Sequence, residues 1–276
     1  MDIPYIRSMA ARKLIISLFV FAALAHSLTI LEPIRTTISD GGELDLGSMG
    51  PGQTLAISID GRPTTGGLYG NGGAYDLANA TQIPPGWSAQ ASDWTGNPLQ
   101  VKITSEKSAA EGSYSAKISV LDDGDKEKLG NVSFYARISI THDVLDVSLD
   151  KNQTTVLSGQ PARFYITITN KGSAGDVFAV TSEGVRGWEF KRDVYVPPKS
   201  SKTIFYEFIS EEGKQYSPVI KVTSRSSELI TKSMNATVNV RSDLFTDFKA
   251  TNNGMLFFPV MNGLIYSLAG LISNLF

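Results

Sequence analysis

Between residues 30 and 241 the chain is a succession of short runs in which apolar and polar residues alternate, separated by Gly, Pro, Asn and Asp. Ala162, Phe164, Ile166 and Ile168 alternate with Arg163, Tyr165, Thr167 and Thr169, and the turn Asn170-Lys171-Gly172 ends the run. Successive side chains of a strand point to opposite faces, so a period of two marks strands buried on one face. The pattern returns at Ile204, Tyr206 and Phe208, at Ile220 and Val222, and at Met234, Ala236, Val238 and Val240. Nothing in this region sustains the 3.6-residue period of an amphipathic helix. The expectation is an all-β chain in which helices are nearly absent.

The pattern is written twice. Pro51-Gly52-Gln53 leads into Leu55, Ile57 and Ile59, as Ser158-Gly159-Gln160 leads into the strand of Phe164. Gly86-Trp87 corresponds to Gly187-Trp188, and Glu111-Gly112 with Tyr114 to Glu212-Gly213 with Tyr216. Trp87 and Tyr114 are 27 positions apart (114 − 87), Trp188 and Tyr216 28 (216 − 188), so the later halves stay in register. Landmarks recurring in one order indicate a tandem duplication. The expected architecture is two tandem immunoglobulin-like β-sandwiches, at 30–142 and 143–241, each of roughly 100 residues and with a core of its own. A short linker is expected near His142 to Asp146. Trp87, Trp188, Tyr114 and Tyr216 are expected as structural anchors. Sugar stacking is the other reading of the two tryptophans, but their matching positions suit packing under a loop.

The second copy resembles the NPCBM-associated module found beside alpha-galactosidase catalytic domains, and more loosely the CARDB-type adhesion modules. The likeness rests on a Gly before an alternating strand, the turn Asn170 to Gly172, Gly187-Trp188, the Val-x-Val-Pro-Pro of Val194 to Pro198, and the Gly-x-x-Tyr of Gly213 to Tyr216. It covers Val156 to Val240 well and the first copy poorly, where an insertion separates Gly61 from Trp87. What the resemblance implies is a seven-stranded sandwich of archaeal or bacterial surface proteins, with no catalytic residues and no named ligand.

Both ends are hydrophobic. Arg7, Arg12 and Lys13 precede the apolar run Leu14 to Ala25, with small residues at Ala23 and Ala25. This is the order of a secretory signal peptide at 1–25, cut before His26, or of an uncleaved signal anchor. Either way the positive flank stays inside and both domains are expected on the extracellular side of the cell membrane. No charge follows Lys249, and Met255 to Phe276 is rich in Leu, Ile, Phe, Val and Met. A hydrophobic membrane helix is expected at 250–276, spanning the bilayer, lying in its interface, or docked on another subunit. Gly263, Ser267 and Gly270 would give it a small-residue face for a partner helix.

The residue inventory removes most chemistry. There is no cysteine, so no disulfide, thiolate metal site or thiol nucleophile. Two histidines, one beside the signal cut, leave no histidine metal cluster or Ser-His-Asp triad. A net charge of -2 with 19% charged residues gives no electrostatic footprint for nucleic acid. No catalytic residue, cofactor or metal is therefore assigned, and the chain is read as not an enzyme. Asp122-Asp123-Gly124-Asp125 invites calcium but lacks the spacing of an EF-hand loop, and a hairpin turn between Val120 and Val132 accounts for the same letters.

The most unusual local feature is Thr64 to Tyr75, glycine-rich but without the spacing of a phosphate-binding loop. It reads either as a binding loop, with Tyr69, Asn71 and Tyr75 exposed to protein or glycan, or as a mobile connection. Sequons at Asn79, Asn131, Asn152 and Asn235 mark candidate glycosylation sites of a glycoprotein. The expected function is a non-enzymatic, membrane-anchored cell-surface protein for adhesion, envelope structure, or binding of another surface protein or glycan. The alternative is an accessory subunit of a membrane-bound enzyme or transport complex.

Overall fold

The computed structural model describes residues 27–185 and 189–242. The expected signal segment at 1–25, the hydrophobic tail at 250–276 and Trp188 lie outside the described residues. Within them the chain is β-structured apart from one 3-10 turn, Asp123–Asp125. No described helix is long and apolar enough to cross a membrane. Among the described residues the chain divides into two compact units, one of residues 27–142 with Gly172–Ala174 and one of the rest.

The first unit contains β1 (Ser27–Glu32), β2 (Thr36–Ser39), β3 (Glu43–Met49), β4 (Thr54–Ile59), β5 (Leu77–Gln82), β6 (Ser88–Gln90), β7 (Leu99–Thr104), β8 (Gly112–Leu121) and β9 (Val132–Ile140). They form two sheets, ordered β2-β1-β4-β7-β6 and β3-β9-β8-β5. The alternation seen in the sequence decides what each sheet buries. Leu55, Ile57 and Val101 point inward from the first sheet, and Ile118, Phe134 and Ile138 from the second. Burying a side chain of this size contributes about 1.5–3 kcal/mol, so the shared apolar layer holds the sheets together.

The second unit contains β10 (Leu145–Leu149), β11 (Gln153–Leu157), β12 (Ala162–Asn170), β13 (Asp176–Glu183), β14 (Phe190–Val196), β15 (Ser200–Phe208), β16 (Gln215–Tyr216), β17 (Val219–Ser224), β18 (Thr231–Asn235) and β19 (Thr237–Arg241). One face of the sandwich is β10-β12-β15. Opposite lie β14-β13-β17-β18 and β11-β19-β16. The run Met234 to Val240 keeps its period of two but changes partners at Ala236. Before that residue it pairs with β17, and after it with β11 and β16.

The two units share a connectivity. In each, the first strand, the strand after the Gly-Gln landmark and a later strand form one sheet, β1-β4-β7 and β10-β12-β15. In each, a short early strand crosses to the opposite sheet and pairs parallel with the last one, β3 with β9 and β11 with β19. Gly52 and Gly159, which open the two matching strands, have φ of 70° and 74°, the left-handed turn that glycine adopts without penalty. This is the strand order of an immunoglobulin-like sandwich. One landmark changes sheets. The strand after Gly86-Trp87, β6, pairs with β7, whereas β14, which follows residues 186–188, pairs with β13 on the opposite sheet.

Candidate functional site

The segment joining β4 to β5 is built by its own backbone. Gly72 N–H donates to Gly66 O at 2.8 Å, Gly73 N–H to Pro63 O at 3.2 Å, and Tyr75 N–H to Gly61 O at 2.8 Å. Gly66, Gly67, Gly70 and Gly72 all have φ between 73° and 87°. At Gly72 a Cβ would lie 1.9 Å from Pro63 O, so the close approach admits only glycine. The excursion is therefore a loop folded on its own backbone hydrogen bonds.

A second loop supports it. Leu68 N–H donates to Glu127 O at 2.7 Å, tying the excursion to the β8–β9 connection. That connection is the hairpin expected between Val120 and Val132, which pair across β8 and β9, and the buried Asp122 carboxylate organises it. Asp122 Oδ2 accepts from the backbone N–H of Glu127 at 3.2 Å and of Leu129 at 3.0 Å, and the Asp122 N–H donates to Asn131 Oδ1 at 3.3 Å. Asp76, just before β5, accepts from Asp123 N–H at 2.8 Å. The second unit has a counterpart at the same strand. Asp176 accepts from Ser224 Oγ at 2.6 Å and Ser226 Oγ at 2.8 Å. These carboxylates stitch loops. Among the described residues no group of three His, Asp or Glu side chains is placed to hold a metal ion.

The expected binding residues separate. Tyr69 is 83% exposed at the tip beside Leu68 at 54%, and Asn71 is exposed next to them. Tyr75 is 3% exposed, so the expectation of an exposed contact residue is corrected: its ring belongs to the core at the base of the loop. Tyr75 lies two residues before β5, where its N–H bond to Gly61 O holds the backbone against the first unit and the ring joins that core. Burial first, and then the Asp122 charge, raise the Tyr75 hydroxyl above its ordinary pKa. Lys128 is raised by its 2.6 Å hydrogen bond to Asp125 on the neighbouring loop.

Of the anchor residues, Trp87 is 7% exposed, with its ring centroid 5.2 Å from that of Tyr114. Tyr114 donates its hydroxyl to Ala110 O at 3.0 Å, four residues upstream. Tyr216 sits at the matching place. Its hydroxyl reaches Glu212 O at 3.5 Å, again four residues upstream, and bonds Ser210 Oγ at 2.5 Å. A tyrosine at the start of this strand tying back to the preceding corner is a recurrent device of immunoglobulin-type sandwiches. The sequons also separate: Asn131, Asn152 and Asn235 are exposed, whereas Asn79 is half-buried in β5 with Oδ1 enclosed and unpartnered. Sequence reasoning passed over Trp94, 61% exposed between β6 and β7, because it has no counterpart in the second copy.

No family model matches the chain, and no curated protein is similar to it. Solved structures to which it is similar include the following, each at low identity. The fibronectin(III)-like modules of Clostridium thermocellum CbhA share 14% identity over 78% of this chain and 94% of theirs, with a TM-score of 0.27. A chimeric titin Z1Z2 shares 10% over 79% of this chain and 99% of its own, with a TM-score of 0.36. The CARDB domain of a Pyrococcus furiosus protein, solved in complex with di-metal ions, shares 17% over 35% of this chain and 93% of that one, with a TM-score of 0.29.

Proposed function

We propose that this chain is an exported, membrane-anchored, non-enzymatic surface protein that displays two immunoglobulin-like units and binds a partner through the loop end of the first. The observation that carries the reading is the backbone-braced loop that holds Tyr69 and Leu68 in water. Large apolar side chains ordered at an exposed tip are a recognition device, because a preformed loop loses little entropy on binding. Tyrosine suits such a contact by joining apolar area to a hydroxyl. The second unit, by its resemblance to NPCBM-associated and CARDB-type modules, is the spacer or accessory module of a prokaryotic envelope protein. The charged-then-apolar N-terminal run directs export, and Met255 to Phe276 is the anchor that keeps both units outside the cell.

Alkaline carbonate extraction tests the anchor. The full chain is expected in the membrane pellet and a chain ending at Lys249 in the supernatant; release of the full chain overturns membrane insertion. Detergent extraction then tests the mode of action. Recovery of the chain alone supports a self-sufficient surface protein, and a stable stoichiometric partner makes it an accessory subunit. Tyr69→Ala is expected to abolish partner or cell-surface binding without changing the thermal transition, and undiminished binding moves the contact away from this tip.

A further inference from the structure

The four sequons sit in different surroundings, and two of them meet. Asn235 is the last residue of β18, is exposed, and lies in register with Val219. Asn152, also exposed, precedes β11, and its carbonyl accepts the N–H of Thr237 at 2.8 Å. Thr237 is two positions beyond Asn235, so the two asparagines occupy one corner of the second unit. That corner lies at the end of an edge. Strand β18 is the terminal strand of β14-β13-β17-β18, so one row of its backbone groups has no partner strand among the described residues. An open edge is a template for pairing with another chain unless something covers it.

The other two sequons differ from these and from each other. Asn131 Oδ1 is turned inward as acceptor for the Asp122 N–H at 3.3 Å. Glycosylation replaces one hydrogen on Nδ2 and leaves Oδ1 an acceptor, so this bond survives the modification. Asn79 lies inside β5, opposite Ser119 on β8, with its Oδ1 sealed from solvent and unpartnered. What separates it from the other three is its surroundings: it is half-buried within a paired strand, whereas they are exposed, so a glycosyl transferase has least room at Asn79.

We infer that Asn152 and Asn235 carry N-linked glycans that converge on one corner and shield the open edge of β18, that Asn131 carries a third, and that Asn79 stays unmodified. The inference rests on the export reading, since transfer occurs outside the cytoplasm. The donor is a lipid-linked oligosaccharide phosphate or diphosphate. Nδ2 forms a bond to the anomeric carbon, the bond from that carbon to the phosphate oxygen breaks, and the displaced Nδ2 proton balances the released lipid phosphate.

The full chain is expressed in a host that performs N-glycosylation. Its location is read by membrane fractionation, and its sites by peptide mass spectrometry after enzymatic glycan release in heavy-oxygen water. The expected result is a membrane-bound chain with isotope label at Asn131, Asn152 and Asn235 and none at Asn79. An Asn152→Gln, Asn235→Gln double variant should lose both corresponding mass increments, keep that at Asn131, and self-associate more on size-exclusion chromatography. Label at Asn79, or an exported chain bare at Asn152 and Asn235, overturns the glycan inference alone. A double variant as monomeric as the parent overturns the shielding role. Retention inside the cell overturns the export reading and the glycans with it.

Discussion

Replacing Gly72 by alanine tests whether the β4–β5 loop is held rigid, with Gly70→Ala as the matched control. Both glycines are left-handed, at φ +87° and +73°, so each alanine meets the same backbone penalty of about 1–2 kcal/mol. Their surroundings differ. The new Cβ at position 72 would sit 1.9 Å from Pro63 O and 2.9 Å from Thr64 C, whereas at position 70 nothing lies within 4 Å. To admit the methyl group, Pro63 must move by about the deficit from ordinary contact, which breaks the Gly73–Pro63 and Gly72–Gly66 hydrogen bonds. At about 0.5–1.5 kcal/mol for each bond, Gly72→Ala should cost about 2–5 kcal/mol if the loop kept its shape. The loop lies on the surface, so it can open and spare the sandwich, which caps the loss of global stability at the free energy of loop opening. Hydrogen exchange should separate the variants: the Leu68 and Tyr75 amides become fast in Gly72→Ala and stay protected in Gly70→Ala. Denaturant melts should show the larger loss for Gly72→Ala. Equal exchange and equal melts in both variants would refute the picture of a loop locked at Gly72, and with it the preformed tip.

Trp87→Ala should cost about 3–5 kcal/mol in denaturant melts, the usual loss for a core aromatic, because the indole is 7% exposed and packed on Tyr114; a change below about 1 kcal/mol would mean a solvated indole. Burial raises the Tyr75 and Tyr206 hydroxyls, so the folded state prefers their neutral forms. That contribution is complete below the ordinary tyrosine value of about 10 and is lost as pH rises through the raised values. Thermal midpoints should accordingly be flat on the neutral side and fall in the alkaline range. Tyr75→Phe should soften the fall, and an unchanged alkaline slope would show that Tyr75 does not drive it.

The period of two in residues 30–241 already specified strands with one buried face, and the side chains it assigned to the core, from Ile57 and Ile118 to Phe164 and Val222, are buried. That reading works because alternation is local: each residue's face follows from its neighbours. The corner role of Tyr114 and Tyr216 was half legible, since their spacing marked them as equivalent, but bonds to Ala110 O and Glu212 O depend on how each chain turns. Pairing partners were not legible. Nothing local distinguishes β6, which joins β7, from β14, which joins β13, because an edge strand takes whichever sheet offers a free edge at that point. The loop was left open by the sequence for the same reason. Glycine content alone cannot separate a slack connection from one folded on itself, and the distinction lies in bonds from Gly72 to Gly66 and from Leu68 to Glu127, the latter spanning 59 positions (127 − 68). Tyr69 and Tyr75 look alike as letters in a polar loop. Only the tertiary structure set one at the tip in water and the other under it in the core, because burial depends on what the rest of the chain brings against a side chain.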